Sequence, residues 1–145
     1  MSGWLFDTNV LSTLAPGRAP ISQEAVKWFG DRNEQLFFSA ITVTEIGAGI
    51  AKLLRAGSLR RARELRAWFD GVLAHYGERV LPFDLAAAEI AGELSDAAVA
   101  IGRHPGFSDV AIAAIAKSRD LVVLSINRRH FEPLGIGVLN PFDVA

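Results

Sequence analysis

Short apolar runs along the chain alternate with longer stretches in which apolar residues recur every three or four positions. The short runs Trp4-Leu5-Phe6, Leu36-Phe37-Phe38-Ser39, Arg79 to Pro82 and Leu121 to Leu124 are predicted strands, with a last one near Val138-Leu139. Between them the periodicity predicts helices over Thr8 to Leu14, Ile21 to Gly30, Thr42 to about Ala56, Leu59 to about Gly77, Leu85 to about Ile101, and from Ser108 or Asp109 to Ser118. The punctuation agrees: Pro16-Gly17 breaks the first helix from the second, Gly57 stops the third, and Ser58 and Asp84 stand where helix caps belong.

Strands that are apolar on both faces and separated by helices predict an α/β fold. A parallel sheet of about five strands would be flanked by helices on both faces, because each crossover returns over a face. No internal repeat or Pro/Gly/Ser-rich linker divides the chain, so one domain over 1–145 is expected. In open sheets of this kind ligands bind beyond the carboxyl ends of the strands, where the connections change direction.

Composition narrows the function classes. Half of the 145 residues are hydrophobic and 21% are charged, which excludes a disordered chain. The absence of cysteine excludes a disulfide scaffold, a zinc-thiolate site and a cysteine nucleophile. No apolar run approaches a membrane span, and the first residues reach Asp7 too early for a signal-peptide core, so a soluble, cytoplasmic protein without a membrane partner is expected. Net charge is −1. Six basic residues (Lys52, Arg55, Arg60, Arg61, Arg63, Arg66) nevertheless fall in one stretch with a single acid, Glu64, and form either a solvated helix face or a surface for a polyanion or acidic partner.

Four polar residues follow strands or open helices at the sheet edge where a ligand would lie. Each has an ordinary explanation. Asp7 would cap the first helix, Glu45 would complete a capping box with Thr42, Asp109 would suit the dipole of its helix, and Asn127 would sit in a turn. Their conjunction implies more, because three carboxylates cannot share a small site unpaired. Either their pKa values rise or a cation neutralises them, and oxygen donors without Cys or His favour Mg²⁺ or Mn²⁺. Such an ion activates water and stabilises charge developing on a phosphodiester.

Leu5-Phe6-Asp7-Thr8-Asn9-Val10-Leu11-Ser12, Ser39-Ala40-Ile41-Thr42-Val43-Thr44-Glu45-Ile46, Ser108-Asp109-Val110-Ala111-Ile112-Ala113-Ala114 and Asn127-Arg128-Arg129-His130-Phe131, in that order, resemble the PIN-domain ribonucleases over nearly the whole chain. The resemblance is greatest to the VapC and FitB type of toxin, and includes Leu81-Pro82-Phe83-Asp84 and Leu139-Asn140-Pro141. It implies a PIN-like fold, Mg²⁺- or Mn²⁺-dependent cleavage of RNA, a homodimer, and a cognate antitoxin protein that occupies the active site. Asp7, Glu45 and Asp109 match the family's metal-binding acids, and Asn127 matches a fourth catalytic position where many relatives carry aspartate. Ser125-Ile126-Asn127 stands where relatives often show Thr-Arg-Asn, which removes an arginine, and His130 stands where some have an acid. Thr8 and Asn9 are expected to orient Asp7, and Ser108 to orient Asp109.

Two other functions fit part of the pattern. In an aspartyl-phosphate phosphatase Asp7 would be the nucleophile with Ser125 nearby, but the general acid needed two residues on is Asn9. A binding module that keeps the PIN fold without catalysis is compatible with Asn127, while the presence of all three acids argues against it. Trp28, Phe29, Trp68, Phe69 and Tyr76 lie on amphipathic helices, either as core or as one wall of a groove for a partner helix.

Overall fold

A computed structural model describes residues 3–143. Five parallel strands, β1 (Trp4–Phe6), β2 (Leu36–Ser39), β3 (Val80–Leu81), β4 (Val122–Leu124) and β5 (Val138–Leu139), form one sheet in the order β3-β2-β1-β4-β5. Among the described residues six α-helices accompany them: α1 (Thr8–Thr13), α2 (Gln23–Asp31), α3 (Ala40–Arg55), α4 (Leu59–Tyr76), α5 (Leu85–Ala100) and α6 (Phe107–Ser118). From β1 the chain steps outward through β2 to β3 and then returns to the other side of β1 as β4. The topological switch therefore lies between β1 and β4, whose pairing sets Phe6 opposite Leu124.

Alternation along the strands divides the core into two layers. Leu5 and Val123 point to a cluster completed by α5, α6 and Phe131, whereas Phe6, Phe38 and Leu124 point to the opposite cluster with Val10, Ile50 and Phe69. The aromatics of α2 and α4 belong to that second layer. Phe69 is buried, and Trp28, Phe29, Trp68 and Tyr76 pack partly buried against this layer, with Tyr76 edge-on to Phe38 at 4.9 Å between ring centroids. The core reading of these five residues holds, although Trp68 keeps one edge on a groove described below.

Helix boundaries moved where a side chain supplied a better cap. Ser22 accepts from the Ala25 amide, so α2 starts at Gln23 rather than Ile21. The larger correction is at α3, which begins at Ala40 because Ser39, in extended conformation at the end of β2, accepts from the Thr42 amide at 3.3 Å. Thr42 is thus an interior, fully buried residue rather than a cap, and the capping box assigned to Thr42 and Glu45 does not exist. At α6 the cap is Gly106, with no side-chain hydrogen bond, so neither Ser108 nor Asp109 starts that helix. Asp84 does cap α5 through the Ala87 amide, and Asp7 caps α1 through the Thr8 amide.

No helix among the described residues is long and apolar enough to cross a membrane.

Candidate active site

At the carboxyl edge of the sheet, beside the switch between β1 and β4, a cavity of about 540 Å³ is lined by Asp7, Glu45, Asp109 and Asn127, together with Thr8, Asn9, Ser12, Arg18 and His130. All four residues singled out from sequence therefore meet in one place. Asp7 arrives on the end of β1, Glu45 on the second turn of α3, Asp109 in the first turn of α6, and Asn127 just beyond β4.

Asp7 is the best-fixed of the four. Its backbone amide donates to the Leu124 carbonyl, continuing the β1–β4 ladder by one residue and setting its side chain against that of Ser125. Oδ1 accepts from the Thr8 amide at 2.9 Å, and Oδ2 accepts from Ser125 Oγ at 2.8 Å. The carboxyl group is only 6% exposed, and burial pushes its pKa up to about 6. The Ser125 and Thr8 hydrogen bonds oppose that rise, while the nearby charges of Asp109 and Glu45 add to it. Asp109 is raised as well, first by burial and then by Glu45, with His130 pulling the other way from 3.3 Å between Nδ1 and Oδ2.

Glu45 is exposed and hydrogen-bonded, not capping. Thr8 Oγ1 lies 2.6 Å from Glu45 Oε1 and 2.9 Å from Thr42 Oγ1, so the threonine links α1 to two residues of α3. The residues led us to expect that Thr8 orients Asp7 by a hydrogen bond. Its amide does so, but its hydroxyl orients Glu45. Asn9 likewise acts one step away: Nδ2 lies 3.4 Å from Ser125 Oγ, and Oδ1 accepts from the Ile126 amide at 3.3 Å, which pins the loop after β4. Ser108 makes no side-chain hydrogen bond to Asp109 among the described residues. Ser125, considered above as part of a phosphatase pair, is fully buried and committed to Asp7 and to the Asn127 amide.

One contributor was not identified from sequence. Arg18 reaches the cavity from the loop after α1, which was read only as a break. Its placement depends on Arg61 of the basic stretch, whose Nη1 donates to the Pro16 carbonyl at 2.6 Å and so ties that loop to α4. The signal available was Pro16-Gly17-Arg18 itself, a rigid turn followed by a guanidinium eleven residues beyond Asp7.

The donor set fits a hard divalent cation. It offers carboxylate, hydroxyl and amide oxygens and no sulfur, and the proton affinity of two of its acids is raised, first by burial and then by the neighbouring carboxylates, which a bound cation would offset. Among the described residues, however, no three acidic or histidine side chains are gathered tightly enough to form a metal-ready cluster. Glu45 is engaged by Thr8 and Asp109 faces His130.

Comparison with known proteins decides the family. The PIN domain pattern matches residues 4–134. The chain belongs to the PIN-domain family. It is 34% identical over 142 residues to a VapC ribonuclease of Sinorhizobium fredii, spanning 97% of this chain and 99% of that one. It is 32% identical over 139 residues to the toxin FitB of Neisseria gonorrhoeae, spanning 95% and 97%. Among solved structures, FitAcB from Neisseria gonorrhoeae superimposes with a TM-score of 0.79 at 29% identity, covering 97% of this chain and 99% of that one. The five-stranded parallel sheet flanked by helices is thus the PIN-like fold that the resemblance implied.

Proposed function

We propose that this PIN-domain protein is a Mg²⁺- or Mn²⁺-dependent endoribonuclease acting as the toxin of a toxin-antitoxin pair. The single observation carrying the catalytic part is the convergence of Asp7, Glu45 and Asp109 on one cavity at the switch point of the sheet, with Asp7 pushed up to about 6. The similarity to a named ribonuclease and a named toxin supports the substrate and the role.

In this reading Asp7, Glu45 and Asp109 hold the cation, and Asn127, exposed at the rim, offers a neutral oxygen to it or to water. When bound, the ion would lower the pKa of water and screen charge on the phosphodiester. The chain's own residues do the positioning. Ser125 holds one oxygen of Asp7 and leaves the carboxyl group fixed relative to both strands, while Thr8 fixes Glu45. His130 neutralises part of the charge on Asp109 when protonated, and Arg18 faces the cavity where a phosphate would enter.

The proposed partners are an RNA substrate, an antitoxin and a second copy of the chain. An antitoxin has a place beside the cavity: an apolar groove of about 200 Å³, lined by Ile46, Ile50, Leu53, Leu65 and Trp68, which shares Thr8, Arg18 and Glu45 with the acidic cavity. An amphipathic helix in that groove would reach the acids directly.

The test is cleavage of RNA with Mg²⁺ or Mn²⁺, alone and with EDTA, against a matched Asp7→Asn control. Activity that requires the ion and vanishes in the control is expected. Undiminished cleavage in EDTA would remove the metal from the mechanism, and dephosphorylation of a small phosphomonoester in place of RNA cleavage would favour the phosphatase alternative.

A further inference from the structure

Next to the acidic cavity lies a second one of opposite character. It measures about 270 Å³ and is lined by Arg103, His104, Arg129 and His130 with Gly106 and Asp109, so His130 and Asp109 form the wall shared with the acidic site. Two independent pieces of chain bring the basic groups together. Arg129 and His130 belong to the single turn after Asn127. Arg103 and His104 belong to the connection between α5 and α6, whose course is set by the end of α5. Gly102 adopts a left-handed conformation (φ 76°), and the Gly102 and Arg103 amides return to the Val99 and Ala98 carbonyls. That pattern closes a helix and reverses the chain, delivering the next two side chains over the start of α6.

The charges at this place are available. Arg128 is paired with Glu132 at 3.6 Å and Arg119 with Asp84 at 3.6 Å, but Arg103 and Arg129 make no ion pair among the described residues. Both are exposed, and the one acid at the cavity, Asp109, already faces His130. Two guanidinium groups converging on a pocket match the geometry of a phosphate. An isolated anion would satisfy them, yet the pocket adjoins the acidic cavity across Asp109 and His130, and this narrows the occupant. A polymer with an anion on every repeat unit can set one phosphate among the carboxylates, where a cation is required, and the next among the arginines. An acidic peptide has no reason to continue into a cavity lined by Asp7, Glu45 and Asp109.

We propose that this basic annex binds the backbone phosphate of a nucleotide flanking the scissile one, with Arg103 and Arg129 as its principal contacts. The inference rests on the ribonuclease reading for the identity of the polymer. It also answers the loss of the arginine expected beside Asn127, because Arg129 and Arg103 supply positive charge in the cavity that shares Asp109 and His130 with the acidic site.

The test separates binding from cleavage. Fluorescence anisotropy with a labelled single-stranded oligoribonucleotide, in EDTA so that no cleavage occurs, is run over a salt series for the wild type and for Arg103→Gln/Arg129→Gln. The double variant is expected to bind about ten-fold more weakly at low salt. Its plot of log affinity against log salt should be shallower by about 0.7 for each arginine removed. With Mg²⁺ or Mn²⁺ restored, KM should rise by a similar factor while kcat stays near wild type, and the melting temperature should not move because both side chains are exposed. A wild-type salt slope and KM in the double variant would overturn the annex while leaving the ribonuclease reading intact. Arginine-dependent RNA binding by a wild type that cuts no RNA would do the reverse. Unchanged RNA binding combined with weakened binding of an acidic antitoxin would reassign the annex to a protein contact and overturn the proposal.

Discussion

Ser125 and Asp7, 118 residues apart in sequence, are joined side chain to side chain at 2.8 Å across the switch between β4 and β1. The serine donates to Asp7 Oδ2 and accepts from the Asn127 amide at 3.0 Å, so one buried hydroxyl fixes both the central acid and the rim residue. Removing it in Ser125→Ala leaves a buried carboxylate oxygen without a donor. A stability loss of about 1–3 kcal/mol is expected. The pKa of Asp7 should also rise further, because the Ser125 hydrogen bond is the largest influence now lowering it. The acid limb of the pH–rate profile should therefore move to higher pH, and Ser125→Thr, which keeps the hydroxyl, should restore it. An unmoved acid limb in the alanine variant would assign Ser125 to packing alone.

Asp7 itself makes a prediction for the metal-free protein. Its folded pKa is raised from 3.8 to about 6, so between those values the folded state holds a proton that the unfolded state has lost. Stability must then fall as pH rises through that window and level off above it. Chemical denaturation in EDTA across pH 4 to pH 8 reads this directly. Asp7→Asn should flatten the slope to the contribution left by Asp109 and, at pH 7–8, stabilise the metal-free protein by up to about 3 kcal/mol while eliminating turnover. A variant less stable than wild type at pH 8 would show that the helix-capping role of Asp7 outweighs its electrostatic cost.

Glu45 and Asp109 separate structural from chemical roles more sharply, because neither caps a helix. If the capping explanations had held, Glu45→Gln and Asp109→Asn would each cost about 1 kcal/mol of stability. With Ser39 and Gly106 as the caps, both variants are instead expected to melt within a degree or two of wild type, and to lose RNA cleavage by at least a hundred-fold. Wild-type turnover in either would remove that residue from the metal-binding set.

The class of fold, all five strands and the convergence of four site residues were legible because they depend on local pattern and on one topological rule. Leu5 and Phe6 are apolar on alternate faces, and whatever follows such a strand projects from the sheet edge. What the residues did not reveal was competition between adjacent hydroxyls. Ser39 and Thr42 are both acceptable caps for α3, and the choice of Ser39 follows from its extended backbone at the end of β2, a tertiary fact. That three-residue shift of the cap frees Thr42 to meet Thr8, and turns Glu45 from a capping partner into a residue held by Thr8 across 37 positions. The roles of Arg18 and Ser125 were hidden for the same reason, since each depends on a partner far away in sequence.

Asn127 stands at the rim of the acidic cavity, where its amide adds an oxygen but no charge. Asn127→Asp would bring a fourth carboxylate to a site that already raises the pKa of two. Mn²⁺ affinity measured by calorimetry should therefore tighten, and stability in EDTA should fall. Unchanged affinity would place Asn127 outside the ion's reach.

The loop carrying Arg18 depends on the absence of a side chain at Gly17. This residue has φ 82°, a conformation that costs other residues about 1–2 kcal/mol, and a Cβ there would meet Arg61 Nη1 at 2.8 Å. The same guanidinium holds the Pro16 carbonyl, so the glycine both permits the turn and leaves room for the clamp that fixes it. Gly17→Ala should therefore lose at least about 1 kcal/mol of stability and release Arg61 from Pro16. Because Arg18 is the next residue and lines the acidic cavity, RNA affinity should fall with it. Arg61→Ala distinguishes the two effects: it removes the clamp without backbone strain, so it should weaken RNA binding through Arg18 with a smaller change in melting temperature. Loss of binding in Gly17→Ala but not in Arg61→Ala would mean that the turn alone positions Arg18, and that the bond from α4 is incidental to the site.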